Sequence, residues 1–148
     1  MPSISIPFAA YLRIVRASAL YDILITAPFA APWTLAWMHQ LISTLNVGLG
    51  GVPLPAFGPF HMFVGGLLGS VVLVWSLLRL RHPDRRLGLY DGAARFLFSG
   101  WMAWTLAQTG APVLWLLLVP EFAWGVVQWW PAGQAADVRR HGGQLAAS

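Results

Sequence analysis

The chain has no cysteine and no lysine, and only 9% of its 148 residues are charged. Without cysteine there can be no disulfide, thiolate nucleophile or iron–sulfur ligation, and the redox compartment leaves no trace. Soluble domains carry roughly 25% charged residues. A chain this poor in charge lacks the polar surface to cover one core in water. Positive charge is also missing where a cleavable signal would need it: Met1 to Leu12 is uncharged, and Arg13 and Arg16 come after it. Ile4 to Tyr11 reads as a short interfacial helix or a frayed terminus.

What the chain does have is apolar length. Hydrophobic residues make up 57%, mean hydropathy is +0.63, and there are nine tryptophans, a residue that collects at bilayer interfaces. Four segments approach the ~20 residues of a bilayer crossing: Ala17 to Leu41, Pro59 to Leu80, Leu89 to Thr109 and Ala111 to Trp130. The expected fold is therefore all-α, a polytopic four-transmembrane-helix bundle. It forms a single domain over residues 1–131, and residues 132–148 form a flexible cytoplasmic tail.

The arginines set the orientation. Arg13 and Arg16 precede the first span, Arg79, Arg81, Arg85 and Arg86 join the second to the third, and Arg139 and Arg140 follow the last. The other two loops, Ile42 to Gly58 and Gln108 to Pro112, hold no arginine. The positive-inside rule then puts both termini and the middle loop in the cytoplasm. The net charge of +4 belongs to helix ends rather than to a nucleic-acid stripe, so no nucleic-acid partner is expected. High Arg, Ala and Gly with no Lys point to a GC-rich bacterial genome and hence to the inner membrane.

Local chemistry adds detail. The loop STLNVGLGGVPLPAFGP is rich in Gly and Pro and should be irregular, an ordered cap on the outer end or a surface for membrane or partner. The near absence of a linker makes spans three and four an antiparallel hairpin. Pro28 and Pro32 should kink or unwind span one, because proline removes a helix hydrogen bond and clashes with the preceding turn. Gly65 and Gly69, with Ser99 and Ala103, read as a helix-packing seam, either within the bundle or toward a second copy or another subunit. LYD occurs at Leu20 to Asp22 and again at Leu89 to Asp91, and WTLA at Trp33 to Ala36 and Trp104 to Ala107. Either a duplicated helical hairpin or chance in an apolar background accounts for these matches.

Asp22, Asp91, Arg95 and Glu121 fall inside the apolar segments, where an ionisable group must be paired or wetted. Asp91 and Arg95 are four apart and share a helix face. Glu121 sits ten residues from either end of its span, near the midplane. The expectation is a buried network of Arg95 with Asp91 and Glu121, with Asp22 nearby and Tyr21 and Tyr90 as hydrogen-bonding neighbours. Three acids against one base leave a surplus, so either Arg13 or Arg16 reaches in or one acid is protonated. The network is a ligand or proton site, or a device that fixes helix register. Pro120 loosens the helix beside the deepest acid, as broken helices do at transport sites. His39 and His61 lie at the outer ends and offer too few ligands for a metal, so neither a metal nor a catalytic group is assigned. Most tryptophans are belt residues: Trp37, Trp101, Trp104 and Trp115 outside, Trp75, Trp129 and Trp130 inside. Trp33 and Trp124 are placed deeper, where they could line a flat ligand site.

Four short helices, cytoplasmic termini and the E-x-x-x-G run Glu121 to Gly125 resemble the DoxX-like small bacterial membrane proteins. In that family the motif falls on an earlier helix. The resemblance implies a small inner-membrane protein and, for some members, a quinone-linked oxidoreductase subunit. Three functions stay open: a non-enzymatic accessory subunit or lipophilic-ligand-binding module, a proton-coupled carrier or channel for a small solute, and a quinone-linked membrane subunit. No cofactor is identified beyond a quinone or lipid. The expected partners are membrane lipids and either a homo-oligomer or a larger membrane complex.

Overall fold

A computed structural model describes residues 5–132. The tail assigned to 133–148, with Arg139 and Arg140, and the residues before 5, including Ile4, lie outside the described residues. The described chain is helical: α1 (Phe8–Thr26), a 3₁₀ turn (Ala27–Ala30), α2 (Pro32–Gly48), α3 (Pro59–Arg81), α4 (Arg85–Thr109), a second 3₁₀ turn (Pro112–Leu114) and α5 (Trp115–Trp129).

Proline and glycine punctuate these elements for physical reasons. Pro28, Pro32, Pro59 and Pro112 each sit in the first turn of a helix, where the missing N–H would have no partner anyway. Among the described residues only Pro120 lies in a helix interior. α4 ends at Gly110 with φ of 62°, the left-handed cap conformation that glycine adopts without strain. The chain then turns straight into α5, so α4 and α5 form an antiparallel hairpin.

The expected first span, Ala17 to Leu41, is not one helix. α1 begins nine residues earlier, at Phe8, and breaks at Ala27–Ala30. α2 then leaves at 112° to the α1 segment. Two prolines four residues apart stop the helix, and Phe29 locks the bend by packing on Gly69, where an added Cβ would sit 2.2 Å from the Phe29 Cβ. Nor is there a separate interfacial helix before α1. Ile6 instead donates its N–H to the Pro131 carbonyl at 2.9 Å and bridges to Ala132, tying the segment before α1 to the segment after α5.

α2 also takes up the first part of the expected outer loop, leaving residues 49–58 irregular. That segment is ordered against α2. Asn46 Nδ2 donates to the Val52 carbonyl (2.7 Å), the Leu54 N–H donates to Ser43 Oγ (3.0 Å), and a His39 ring nitrogen lies 2.9 Å from the Pro55 carbonyl. Asn46 Oδ1 accepts from the Val113 N–H at 3.1 Å and so fastens this cap to the start of α5.

The interior is inverted relative to a soluble protein. The buried apolar side chains are Tyr11, Val15, Ala19, Leu35, Ala111 and Val113, while Ser18, Asp22, Asn46, Ser76, Arg79, Asp91, Arg95, Ser99 and Gln128 are buried polar ones. Large Leu, Val, Phe and Trp side chains face outward along every helix. The inward positions recur at alternating steps of four and three: Tyr11, Val15, Ser18 and Asp22 on α1; Gly65, Gly69, Val72, Ser76 and Arg79 on α3; Gly88, Gly92, Arg95 and Ser99 on α4; Glu121, Gly125 and Gln128 on α5. This is the seam of a left-handed bundle, written in small and polar residues instead of leucine. The glycines let side chains of neighbouring helices close in: a Cβ on Gly92 would meet Trp129 at 2.4 Å, and one on Gly88 would meet the Tyr11 hydroxyl at 2.6 Å.

Two helical stretches among the described residues, Pro59–Arg81 and Pro112–Trp129, are long and apolar enough to cross a membrane, with a third if the bent pair α1–α2 forms a single span. α4 is long enough at 25 residues, but it carries Arg85, Arg86, Asp91 and Arg95.

Candidate functional site

Four helices bring five charged side chains to one point. α1 supplies Asp22, α3 supplies Arg79, α4 supplies Asp91 and Arg95, and α5 supplies Glu121. The Arg95 guanidinium acts as a three-way fork: Nη2 donates to Asp22 Oδ1 (2.7 Å), Nε to Asp91 Oδ2 (3.0 Å) and Nη1 to Glu121 Oε2 (2.7 Å). Its planar geometry suits it to several carboxylates at once. Arg79 ion-pairs with both Asp22 and Asp91. Asp22 and Asp91 each contact both guanidiniums, so two acids and two bases close into a neutral ring.

Arg79 revises the expected charge count. On sequence grounds it belonged with the arginines of the middle loop; in the fold it is 0% exposed and is a core member of the network. The second base is therefore Arg79, and neither Arg13 nor Arg16, both exposed, reaches in. The buried charge is three acids against two bases.

Hydrogen bonds brace the ring. Arg79 Nη1 donates to Ser18 Oγ and Nη2 to Ser76 Oγ, both at 3.1 Å. Gln128 Nε2 donates to Asp91 Oδ2 (2.8 Å) and Ser18 Oγ (2.6 Å), and Trp75 Nε1 donates to Asp91 Oδ1 (3.0 Å). Asp91 is thus saturated with donors, which offsets the cost of burying its charge. Sequence reasoning passed over Arg79, Gln128, Ser18, Ser76 and Trp75. Four of the five, all but Trp75, occupy the four-and-three seam, and that periodicity of small and polar residues is the signal that finds them.

The remaining expected residues divide. Tyr21 is half-buried, its ring 5.9 Å from the Arg95 guanidinium carbon, and 6.1 Å from the Trp124 ring. Tyr90 is 70% exposed and outside the network, which corrects its expected role as a hydrogen-bonding neighbour. It lies one residue before the inward Asp91 and so points to another side of α4. A Cβ on Gly65 would lie 3.4 Å from the Leu35 side chain and one on Gly69 would run into Phe29, while Ser99 is buried and Ala103 exposed. Trp33 is outward and Trp124 pairs with Tyr21, so neither lines the inner cavity; Trp75 does. His39 and His61 flank the Phe57 ring, at 4.1 and 5.8 Å between centroids. Among the described residues no group of His, Cys, Asp or Glu is placed to hold a metal.

A cavity of about 360 Å³ opens on the network, bounded by α1, α3, α4 and α5. Asp22, Asp91, Arg95 and Glu121 form its polar end; Ile25, Phe29, Val71, Phe98, Met102 and Leu117 are among its apolar walls. Glu121 is the loosest charge there. Its side chain keeps 13% exposure, and its sole hydrogen bond among the described residues is the one from Arg95 to Oε2. A second cavity of about 500 Å³ lies under the cap formed by residues 49–58, with Phe29 and Leu117 as walls common to both.

Such an arrangement can hold an amphiphilic molecule by its apolar body while one carboxylate oxygen meets a donor or a proton. No family model matches this sequence, and no curated protein or solved structure is significantly similar to it.

Proposed function

We propose that this chain is a four-pass protein of a bacterial inner membrane, with both termini cytoplasmic, that binds a lipophilic small molecule rather than catalysing a reaction. The observation that carries the reading is the inner cavity: apolar walls that end on Glu121, the one carboxylate of the buried network whose second oxygen has no donor among the described residues. Small-molecule sites have this make-up, a mostly apolar cleft with a few convergent polar groups.

The topology follows from the lengths. Phe8–Ala30 meets the criteria for a span only together with α2; in this reading it makes the first crossing by itself, 23 residues or about 34 Å at 1.5 Å per residue, with Arg13 and Arg16 toward its cytoplasmic end. In this reading α2 lies along the outer interface with Trp33, Trp37, Leu41 and Leu45, all exposed and four residues apart, toward lipid. α4 crosses because its inner charges are neutralised inside the bundle. The chain acts as a binding module or accessory subunit in a homo-oligomer or a larger complex. A quinone, as the DoxX-like resemblance implies, is one candidate occupant. Proton-coupled transport is a second reading, favoured by the surplus acid and by Pro120 beside Glu121, where the helix lacks one backbone donor.

The test is extraction. The full chain is purified in mild detergent, and bound organic material is analysed by mass spectrometry beside a Leu117→Trp variant, which fills the cavity without touching the charges. A lipophilic compound retained by the wild type and lost from the variant supports the reading. Equal retention by both, or none by either, overturns it.

A further inference from the structure

The charges specify the ligand further. Asp22, Asp91, Arg79 and Arg95 close a neutral ring, so the negative charge left over is that of Glu121. Around Glu121 stand Arg95 and Asp91 from α4, and Asp22 and Tyr21 from α1; Arg79 and Trp75 of α3 complete the far side of the ring. Arg95 is shared among three carboxylates and cannot neutralise Glu121 alone. An uncompensated charge at this depth costs several kcal/mol, so the site calls for one positive charge that the chain does not supply. Phe29, Trp75 and Phe98 line the same cavity, and aromatic rings attract a cation that has shed its water. Bulky apolar walls exclude a small hydrated ion.

We propose that the inner cavity takes a lipophilic monovalent organic cation, held by its apolar body and paired with Glu121 in exchange for a proton. This rests on the reading of the cavity as a ligand site and names its ligand class. Because cation and proton satisfy the same carboxylate, binding displaces the proton, and affinity rises with pH.

Three probes of similar shape and different charge separate the outcomes: tetraphenylphosphonium, tetraphenylborate and neutral triphenylphosphine oxide. Binding to the full chain in detergent is measured by equilibrium dialysis against protein-free micelles, and proton release is read in weakly buffered solution. The expected result is saturable phosphonium binding with proton release, no saturable borate binding, and weaker binding of the neutral probe. Glu121→Gln should weaken the phosphonium by about 30-fold or more and abolish proton release, while Glu121→Asp retains both. The comparison of probes on the unaltered chain holds even if the glutamine variant fails to fold. If borate or the neutral probe binds as tightly as phosphonium, and Leu117→Trp blocks it, the cation assignment is wrong while the cavity remains a ligand site. If no probe binds and Leu117→Trp changes nothing, both readings fall.

Discussion

Replacing Arg79 by methionine tests the network most directly. Methionine keeps the unbranched apolar stem of the arginine, so the change removes chiefly the guanidinium with its charge and donors. The arginine is 0% exposed and serves Asp22, Asp91, Ser18 and Ser76. Its loss leaves three buried carboxylates against one guanidinium, so the net charge of the cluster goes from minus one to minus two. Breaking a buried ion pair by removing one partner costs about 3–5 kcal/mol, because the partner's charge stays buried. Arg79→Met should therefore lower unfolding free energy by about that amount. The second change Asp22→Asn should return part of it, a coupling of about 0.5–3 kcal/mol. The assay is reversible unfolding in mixed detergent micelles followed by tryptophan fluorescence. Arg81→Met is the control, since Arg81 is exposed two residues further on. If Arg79→Met and Arg81→Met unfold at the same detergent composition, the ring does not hold the helices together and the argument fails.

Other outcomes are sharp enough to check. Gly69→Ala should destabilise by about 1–3 kcal/mol, because its Cβ would lie 2.2 Å from the Phe29 Cβ. Gly100→Ala, with nothing within 4 Å of the new atom, should leave the unfolding midpoint unchanged or raised. Asn46→Ala should cost about 1–3 kcal/mol, since it strands the buried Val113 N–H and frees the exposed Val52 segment; a cost no greater than that of an exposed substitution would mean that the cap is not fastened there. The absence of cysteine makes the topology directly testable. Single cysteines at Gly110 and at His82 should react with a membrane-impermeant maleimide from opposite faces of sealed vesicles, and labelling of both from one face would rule out the four-pass arrangement.

The sequence disclosed some of this readily. α3, α4 and α5 stand out as apolar stretches, and Asp91 and Arg95 meet because they are one helical turn apart. The prolines at 28 and 32 announce a break, but not a 112° bend, because a proline stops a helix while packing sets the new direction. Here Phe29 on Gly69 sets it, a contact between residues forty apart. Arg79 was hidden for a different reason. An arginine near a helix end reads as a marker of the membrane face, and only its place three residues after Ser76 and ten after Gly69, on the inward seam, distinguishes it from Arg81. Apolar periodicity does not mark such a seam, since the inward residues are small or polar and the outward face is largely apolar.

The network also sets a schedule for the chain's manufacture. Asp22 leaves the ribosome 57 residues ahead of Arg79 and 73 ahead of Arg95. At about 5–20 residues per second the first of those delays is roughly 3–11 s. On the four-pass reading, the nascent first helix spends that interval with an unpaired acid at a depth where lipid cannot solvate it. Its residence in the bilayer is provisional until the third helix arrives, and Arg95 then waits for Glu121 on α5, the last of the described helices. A chain truncated after Gly58 should accordingly be released from the membrane or degraded, whereas one ending after Trp130 should stay.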